Sequence, residues 1–215
     1  MRRIVRLLLS FVMIFALAAC GQSAASEKQE EIQPAVQKTD EPPEAVSTEE
    51  QEADVIAKTL VVYFSCTGTT ELVAEYITEI LGADIYEIVP ENPYTEEDLA
   101  YYTNGRADQE QNDPNARPVI SGGVENMDEY DTIILGYPIW HGQAPRIIST
   151  FLESYDFSGK TIIPFCTSHS SGIGSSASNL HDLCSESVAW MDGKRFEAGV
   201  SKESIQNWIG EIGIE

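Results

Sequence analysis

The most constraining feature of this sequence is a strand that runs directly into a hydroxyl-rich turn and then into an amphipathic helix. Thr59–Phe64 is a short apolar stretch rich in β-forming residues, as expected for a strand covered on both faces of a sheet. From Leu72 to Ile80, apolar residues recur at helical spacing. The turn between them, Ser65–Thr70, contains four hydroxyl side chains, one glycine and no positive charge. A strand–turn–helix of this kind is common in α/β proteins.

The Ser65–Thr70 turn is a candidate anion site. The start of a helix offers unpaired backbone N–H groups and the positive end of the helix dipole, which together favour a bound phosphate. The hydroxyls can add neutral donors, and Gly68 lets the backbone approach a ligand closely. The alternative is an ordinary turn in which Thr67 or Thr69 caps the helix. This segment alone does not distinguish the two.

Four more strands alternate with helices along the rest of the chain. The strands are predicted at Ala83–Val89, Asp131–Tyr137, Thr161–Thr167 and Val188–Met191. The helices are predicted from a capping box at Thr95 through Tyr102, from Pro145, through Leu180 and Leu183, and from Ser201. Residues 104–126 are predicted to be an excursion loop. Five strands that alternate with helices predict an α/β fold with a doubly wound, five-stranded parallel sheet.

Two places disturb this simple pattern. Pro164 lies inside the fourth predicted strand, although proline cannot donate a hydrogen bond to a neighbouring strand. Asp192 and Gly193 follow the fifth predicted strand, and they predict a hairpin or a bulge before Phe196.

Three loops at the carboxyl ends of the predicted strands have a composition that suits one ligand. In an open α/β sheet, ligands bind outside these ends, near the point where the strand order reverses. Ser65–Thr70 would hold a phosphate, and Trp140 in the Pro138–Gln143 loop would cover a ring system. The small residues of Thr167–Ser176 would let a planar ligand lie close to the backbone. A phosphate and a large aromatic ring without a nearby cation fit FMN better than a nucleoside triphosphate.

Three motifs, in this order, resemble the flavodoxin family. They are Ser-x-Thr-Gly-x-Thr at Ser65–Thr70, GYPIW at Gly136–Trp140 and GKTIIPF at Gly159–Phe165. The resemblance extends over roughly residues 58–211. It implies an FMN-binding, flavodoxin-like domain whose five parallel strands lie in the order 2-1-3-4-5.

The resemblance also implies which residues hold the cofactor. The FMN phosphate would be bound by Ser65, Thr67, Gly68, Thr69 and Thr70. The isoalloxazine ring would be bordered by Pro138, Ile139, Trp140, His141 and Gly142 on one side, and by Thr167, Ser168, His169, Ser170 and Gly172 on the other. Trp140 would stack on the ring or lie at its edge; the alternative is a core residue. For His141 and His169 the alternative is an ordinary surface histidine.

The sequence departs from the family's pattern near the ring. Many electron-carrying flavodoxins place a tyrosine from the fourth-strand loop on the outer ring face, and this loop contains none. Either His169 takes that place or the face is open to a substrate. Tyr101, Tyr102 and Arg106 in the excursion could also close over the ring. Thr69 stands where asparagine is frequent, which keeps a polar residue in the phosphate loop.

The first 57 residues are predicted to be an export signal and a tether. Residues 1–19 combine a basic start with an apolar stretch too short to span a bilayer, as in a signal peptide. Leu17–Cys20 (LAAC) looks like a bacterial lipobox with Cys20 as the lipid-modified N-terminus; the alternative is a secretory signal with an incidental cysteine. The acidic, apolar-poor residues 20–57 predict a disordered tether. We therefore expect an extracytoplasmic lipoprotein, held to the membrane by its lipid anchor only.

The part predicted to fold, residues 58–215, is strongly acidic. It carries 25 acidic and 8 basic side chains. This balance excludes binding to nucleic acid or to an anionic membrane surface through charge, and it suits redox partner proteins with a basic docking surface. Cys66, Cys166 and Cys184 lack the spacing of a metal or redox site. We expect small buried thiols, with Cys66 the most exposed of them, and no metal.

Three functions are consistent with these observations. The first is an electron carrier, in which FMN passes single electrons between membrane-associated partners. The second is an FMN-dependent reductase of a quinone-like acceptor, and the third is a lipoprotein that has the fold without the cofactor. The acidic surface favours the carrier, whereas the missing tyrosine and the long excursion favour the reductase. The intact Ser65–Thr70 motif argues against the cofactor-free protein.

Overall fold

Parallel strands at five neighbouring positions form the main sheet. The computed structural model describes residues 58–214; the predicted signal peptide, Cys20 and the tether lie outside the described residues, as does Glu215. The strands are β1 (Thr59–Tyr63), β2 (Asp84–Glu87), β3 (Val89–Pro90), β4 (Ile120–Ser121), β5 (Thr132–Pro138), β6 (Thr161–Thr167), β7 (Ala189–Trp190) and β8 (Lys194–Phe196). The helices are α1 (Thr69–Leu81), α2 (Arg106–Asn112), α3 (Arg146–Glu153) and α4 (Lys202–Ile212), with 3₁₀ helices at Met127–Glu129 and Ser178–Leu183.

The main sheet has the predicted topology. Its strands lie in the order β2-β1-β5-β6, with β7 and β8 both beside β6, and all pairs are parallel. Counted by position, this is the order 2-1-3-4-5, so the α/β fold is confirmed. The strand predicted over Ala83–Val89 is divided, because β3 leaves the sheet and pairs antiparallel with β4.

The fifth strand position is interrupted, and the interruption faces Pro164. β7 pairs with the start of β6 and β8 with its end. The N–H of Thr161 bonds to the β5 side, so by the alternation of a strand the nitrogen of Pro164 points to the opposite side, at residues 191–193. A Cβ on Gly193 would lie 2.9 Å from Pro164 Cγ, so glycine is required there. The predicted bulge is this break, and proline's missing donor falls where no ladder bond is made.

The two faces of the sheet are covered by different helices, and side chains of β5 alternate between them. Ile134 belongs to the buried cluster under α1 and α4. Ile133 and Leu135 belong to the cluster on the other face, under α3. Burial on both faces explains why the central strands are apolar at successive positions. None of the helices within residues 58–214 combines the length and the apolarity needed to span a bilayer.

The capping box at Thr95 forms, but no helix follows it. The Thr95 N–H and hydroxyl donate to Asp98 Oδ2 at 2.9 and 2.8 Å, and the Asp98 N–H donates to Thr95 Oγ1 at 3.1 Å. The predicted helix through Tyr102 is wrong, because Tyr102 and Asn104 have φ angles of 62° and 59°. Such angles cannot continue a right-handed helix.

The excursion, predicted as a loop over residues 104–126, contains α2 and β4. α2 begins directly after Gly105, at which a Cβ would lie only 2.9 Å from the carbonyl oxygen of Glu97. Glycine therefore allows the chain to pack against the preceding turn before the helix starts. After β6, the helix predicted through Leu180 and Leu183 forms as a 3₁₀ helix, Ser178–Leu183.

Candidate functional site

The carboxyl ends of β1, β5 and β6 border a cavity of about 810 Å³, a volume typical of ligand pockets. Thirteen of the fifteen residues expected to hold the ligand line it. They are Ser65, Thr67, Thr69, Thr70, Pro138, Ile139, Trp140, His141, Gly142, Thr167, Ser168, His169 and Ser170. Gly68 borders a neighbouring groove instead, and Gly172 lines neither. The three loops singled out in the sequence thus meet at one place.

Further residues line the same cavity. They are Cys66, Leu99, Tyr101, Tyr102, Ala107, Asp108, Ser171 and Ala198. Cys66 and Ser171 lie within loops that the sequence singled out, whereas the others come from outside the three motifs. Five of these come from residues 99–108, in the turns before α2 and in its first turn. Tyr101 and Tyr102 were proposed from the sequence as residues that could close over the ring. No local motif predicts the rest of this segment, because the contacts that bring it to the cavity are long-range.

The phosphate loop is held by its own residues. Gly68 has a φ of 79°, which glycine adopts without strain, and its N–H donates to Ser65 Oγ at 3.1 Å. Its carbonyl accepts the first helical bond, from the N–H of Leu72 at 3.0 Å. In the described chain no side chain caps α1, so the alternative of a cap by Thr67 or Thr69 is not realised. The first N–H groups of α1 are left to bind a ligand.

A buried pair of hydroxyls joins the phosphate loop to the end of β6. Thr70 Oγ1 and Thr167 Oγ1 lie 2.7 Å apart, and both residues are buried. Because either hydroxyl can be the donor, the pair can reorient to offer a ligand a donor or an acceptor.

Trp140 is mainly a core residue that borders the cavity. Its side chain is 8% exposed, and its ring packs edge-on against Phe64 and Tyr94, with centroids 5.5 and 5.1 Å away. A tight turn fixes its backbone through two bonds of 2.9 Å with Gln143. Trp140 is therefore packed into the core and lines the cavity with the small part of its surface that is exposed.

His141 forms the next part of this wall and is paired with a buried carboxylate. His141 Nε2 lies 2.8 Å from Oδ1 of Asp108, a residue of α2 that is only 5% exposed. Asp108 Oδ2 accepts the N–H of Asn104 at 2.9 Å. Both oxygens are thus engaged, which is how a buried carboxylate is tolerated.

Two tyrosines extend the wall into solvent. Tyr101 and Tyr102 are 55% and 89% exposed, and their rings lie 5.2 and 5.8 Å from the His141 ring, centroid to centroid. Arg106 does not join them. It lies over the Tyr94 ring at 4.1 Å and donates from Nε to Glu110 at 2.7 Å.

Gln111 attaches α2 to the loop that carries Trp140 and His141. Its Nε2 donates to the carbonyls of Trp140 and Ala144 at 3.1 and 3.2 Å, and its Oε1 accepts the N–H of Arg146 at 3.1 Å. The Arg146 guanidinium donates in turn to the Gln111 carbonyl at 3.1 Å, where a cation suits the negative end of the helix.

The fourth-strand loop is tied to β8. The N–H of Ser168 donates to the Phe196 carbonyl at 3.2 Å, and Arg195 Nη1 donates to the Ser168 carbonyl at 3.1 Å. Ser168 Oγ accepts the N–H of Ser171 at 2.9 Å. His169 is exposed at the cavity mouth. The loop thus has a fixed base and an exposed tip.

The site is nearly free of charge. Asp108 is the acidic residue that lines the cavity, and within the described chain no lysine or arginine lines it. The Cys66 residue is exposed as expected, yet burial around its sulfur raises the pKa of the thiol to about 11, so it is a protonated thiol at neutral pH. Within residues 58–214 no cluster of side chains is suited to a metal ion.

Comparison with known proteins gives consistent matches. The family model described as flavodoxin matches residues 58–212. A crystal structure of a protein assigned as a flavoprotein in Bacteroides eggerthii is 41% identical, with a TM-score of 0.69; the match covers 74% of this chain and 99% of that one. A similar protein from Bacteroides uniformis is 42% identical, with a TM-score of 0.68 and coverages of 72% and 98%.

A more distant structure has the same fold. The flavoprotein of Lactobacillus acidophilus NCFM, crystallised in complex with FMN, is 24% identical with a TM-score of 0.52; the match covers 65% of this chain and 93% of that one. No curated protein matches the sequence significantly.

Proposed function

Because this chain belongs to the flavodoxin family over residues 58–212, we propose that its cavity binds FMN and that the protein transfers electrons through it. The observation that carries the proposal is the meeting of three loops at one cavity, with the uncapped start of α1 at one end and an aromatic wall at the other. The residues fit the cofactor at both ends.

The phosphate end matches an anion without using a cation. Unpaired N–H groups and the dipole of α1 favour negative charge at Thr67–Thr70. The hydroxyls of Ser65, Thr67 and Thr69 border the same end of the cavity. We propose that these groups hold the FMN phosphate.

The ring end matches a planar aromatic group. Pro138–Gly142 forms one wall and Thr167–Ser170 the other, and their exposed groups are apolar or neutral apart from the histidines. Burial of ring surface between such walls is the main source of affinity in small-molecule sites. When bound, FMN supplies one- and two-electron redox chemistry, and the protein supplies binding, orientation and electrostatics.

An acidic surface beside the phosphate loop supports the carrier as the leading function. Burial, followed by Glu87, Glu71 and Glu75, raises the pKa of Tyr63 to about 12. Burial and the neighbouring Glu71 also raise the pKa of Glu87. Such a concentration of like charge attracts a basic protein surface and speeds its docking. The proposed partners are redox proteins with a basic docking surface.

The N-terminal sequence supports an anchored protein. We propose that residues 1–19 are removed, that Cys20 is lipidated and that residues 20–57 tether the domain outside the cytoplasm. The Leu17–Cys20 motif supports this anchoring. Detergent partition of the full chain and of a Cys20→Ala variant tests it; equal partition of both proteins into detergent would contradict the proposal.

A reductase of quinone-like acceptors is the second candidate function. It is favoured by the exposed wall of Tyr101, Tyr102 and His141, which leaves an aromatic surface at the cavity mouth. An anaerobic reductive titration followed by absorbance separates the two functions. A long-wavelength species that accumulates midway supports single-electron transfer, whereas direct bleaching favours the reductase.

The proposed phosphate site is tested by the double variant Ser65→Ala, Thr70→Ala. It removes the hydroxyl that accepts the Gly68 N–H and one member of the Thr70–Thr167 pair. At about 1 kcal/mol per lost hydrogen bond, FMN affinity should fall about 10- to 30-fold in a fluorescence titration. Ser178→Ala, an exposed serine that does not line the cavity, is the matched control. An unchanged affinity in the double variant would contradict the assignment.

A further inference from the structure

We propose that His141, oriented by Asp108, is the proton donor to a neutral, planar, quinone-like acceptor that is reduced in this cavity. The inference rests on the proposed binding of FMN. It assigns a residue and a substrate class to the second candidate function.

The hydrogen bond to Asp108 sets the orientation of the imidazole. With Asp108 Oδ1 2.8 Å from Nε2, the ring carries its neutral-form proton on Nε2 and leaves Nδ1 to exchange a proton with a ligand. Asp108 is itself fixed by the N–H of Asn104 at 2.9 Å and by its burial in α2. An imidazole that is held by a carboxylate at one ring nitrogen is oriented to transfer a proton through the other, as a general acid does.

Few ionisable groups face His141. α2 contributes Asp108, and the turn before it contributes Tyr101 and Tyr102. Burial raises the pKa of Tyr101, which keeps that hydroxyl neutral. The imidazole is therefore the group of this wall whose ring nitrogens can accept and release a proton.

Backbone strain in the described chain is concentrated at this wall. Its non-glycine residues with positive φ are Tyr102, Asn104 and His141, at 62°, 59° and 49°. Such conformations are uncommon in residues other than glycine and are often found at functional sites. Here the segments with positive φ place the Tyr102 ring in solvent and His141 at the cavity.

The chemistry of the wall selects the acceptor. Tyrosine rings suit a planar aromatic molecule. The cavity lacks lysine and arginine, and the acidic domain repels anions. A neutral quinone fits better than an anionic nicotinamide nucleotide or a carboxylate.

The electrons and protons of the proposed quinone reduction have identified sources. A redox partner protein reduces the bound FMN. Bound FMN, once it has gained two electrons from the partner and one proton from solvent, would supply a hydride equivalent to the quinone. The quinone takes its second proton from Nδ1 of the protonated His141, which gives the hydroquinone. The imidazole regains its proton from solvent.

The test compares a proton-requiring acceptor with an electron-only acceptor. The protein is loaded with FMN, reduced with dithionite and mixed by stopped flow with 1,4-naphthoquinone or with cytochrome c. With both proteins saturated with FMN, His141→Asn should slow naphthoquinone reduction about 100-fold more than it slows cytochrome c reduction. Asparagine tolerates the positive φ at this position.

Asp108 is tested as a positioning residue. Asp108→Asn should slow naphthoquinone reduction by a smaller factor. It should also change the protonation pattern of the two His141 nitrogens, which ¹⁵N NMR of the cofactor-free protein reports without any turnover. His181→Asn is the matched control, because His181 stacks on Trp190 and does not line the cavity.

The outcomes separate this inference from the proposed function. If FMN binds and His141→Asn reduces naphthoquinone at the normal rate, or slows both acceptors equally, the inference is overturned and FMN binding stands. If the unmodified protein does not bind FMN, both are overturned. If His141→Asn does not fold, Asp108→Asn decides: an unchanged rate and an unchanged nitrogen pattern overturn the inference.

Discussion

The two ends of the cavity are built in different ways. The phosphate end is a contiguous segment, Ser65–Thr70, held by bonds over three or four residues such as Gly68 N–H to Ser65 Oγ. One wall of the ring end is assembled from α2 and from residues 138–146, which lie about thirty positions apart in the sequence and are joined through Asp108 and Gln111. Thr167–Ser170 forms the other wall. A local motif therefore sets the anion site, whereas long-range packing sets the surface that faces the ring.

This difference implies different sensitivities to mutation. Changes at the phosphate end should alter affinity and leave the fold intact. Changes at the ring end should alter stability as well, because its residues are also part of the core.

Trp140→Ala should have the largest effect on stability. Its indole is buried against Phe64 and Tyr94, and truncation of a buried large aromatic residue costs about 3–5 kcal/mol. Denaturant unfolding of the cofactor-free protein measures this loss. The matched control is Tyr102→Ala, where an 89% exposed ring predicts a change within about 0.5 kcal/mol. Equal losses of unfolding free energy in the two variants would contradict the assignment of Trp140 to the core and of Tyr102 to the cavity mouth.

Gln111→Ala should have an intermediate effect. The variant removes the hydrogen bonds of this side chain to the Trp140 and Ala144 carbonyls and from the Arg146 N–H, which predicts a loss of about 1–3 kcal/mol. It should also increase hydrogen exchange at residues 140–146, while exchange at the Ser65–Thr70 loop stays unchanged. Asn112→Ala, on the exposed side of the same helix, is the control. Faster exchange at both ends of the cavity would show that they are not independent.

The same contrast between local and long-range contacts separates the elements that the sequence predicts from those it does not. The parallel sheet could be predicted, because β1, β5 and β6 are apolar at successive positions and are separated by helices. Its strand order was predicted only through the resemblance to the flavodoxin family. The capping box at Thr95 was recognised correctly as a local structure. No helix follows it, because the chain adopts positive φ angles at Tyr102 and Asn104, which a capping box does not specify. α2 was missed since Ala107 is its only strongly apolar buried residue; Asp108 and Gln111 are buried through hydrogen bonds to a distant loop.

Glu153→Gln should have the smallest effect, which is present at neutral pH and lost in acid. Arg117, near the end of the excursion, donates to both Glu153 oxygens at 2.6 and 2.7 Å. This pair lowers the pKa of Glu153, so its contribution to stability is complete above the carboxyl's ordinary pKa and is lost as pH falls through the lowered value. Both side chains are partly exposed, which limits the contribution to about 1 kcal/mol or less.

The measurement is thermal unfolding at pH 7 and at about pH 3. The variant should be slightly less stable than the unmodified protein at pH 7, and the gap should narrow at the lower pH. A gap that widens on acidification would contradict the assigned pKa direction.

The most direct test of the account is a calorimetric titration of the protein with FMN and with riboflavin, which differ only by the phosphate. If the start of α1 and the Ser65–Thr70 loop bind that phosphate, FMN should bind at least about 100-fold more tightly, the equivalent of about 2.7 kcal/mol. Equal affinities for the two flavins, or no binding of FMN, would contradict the account.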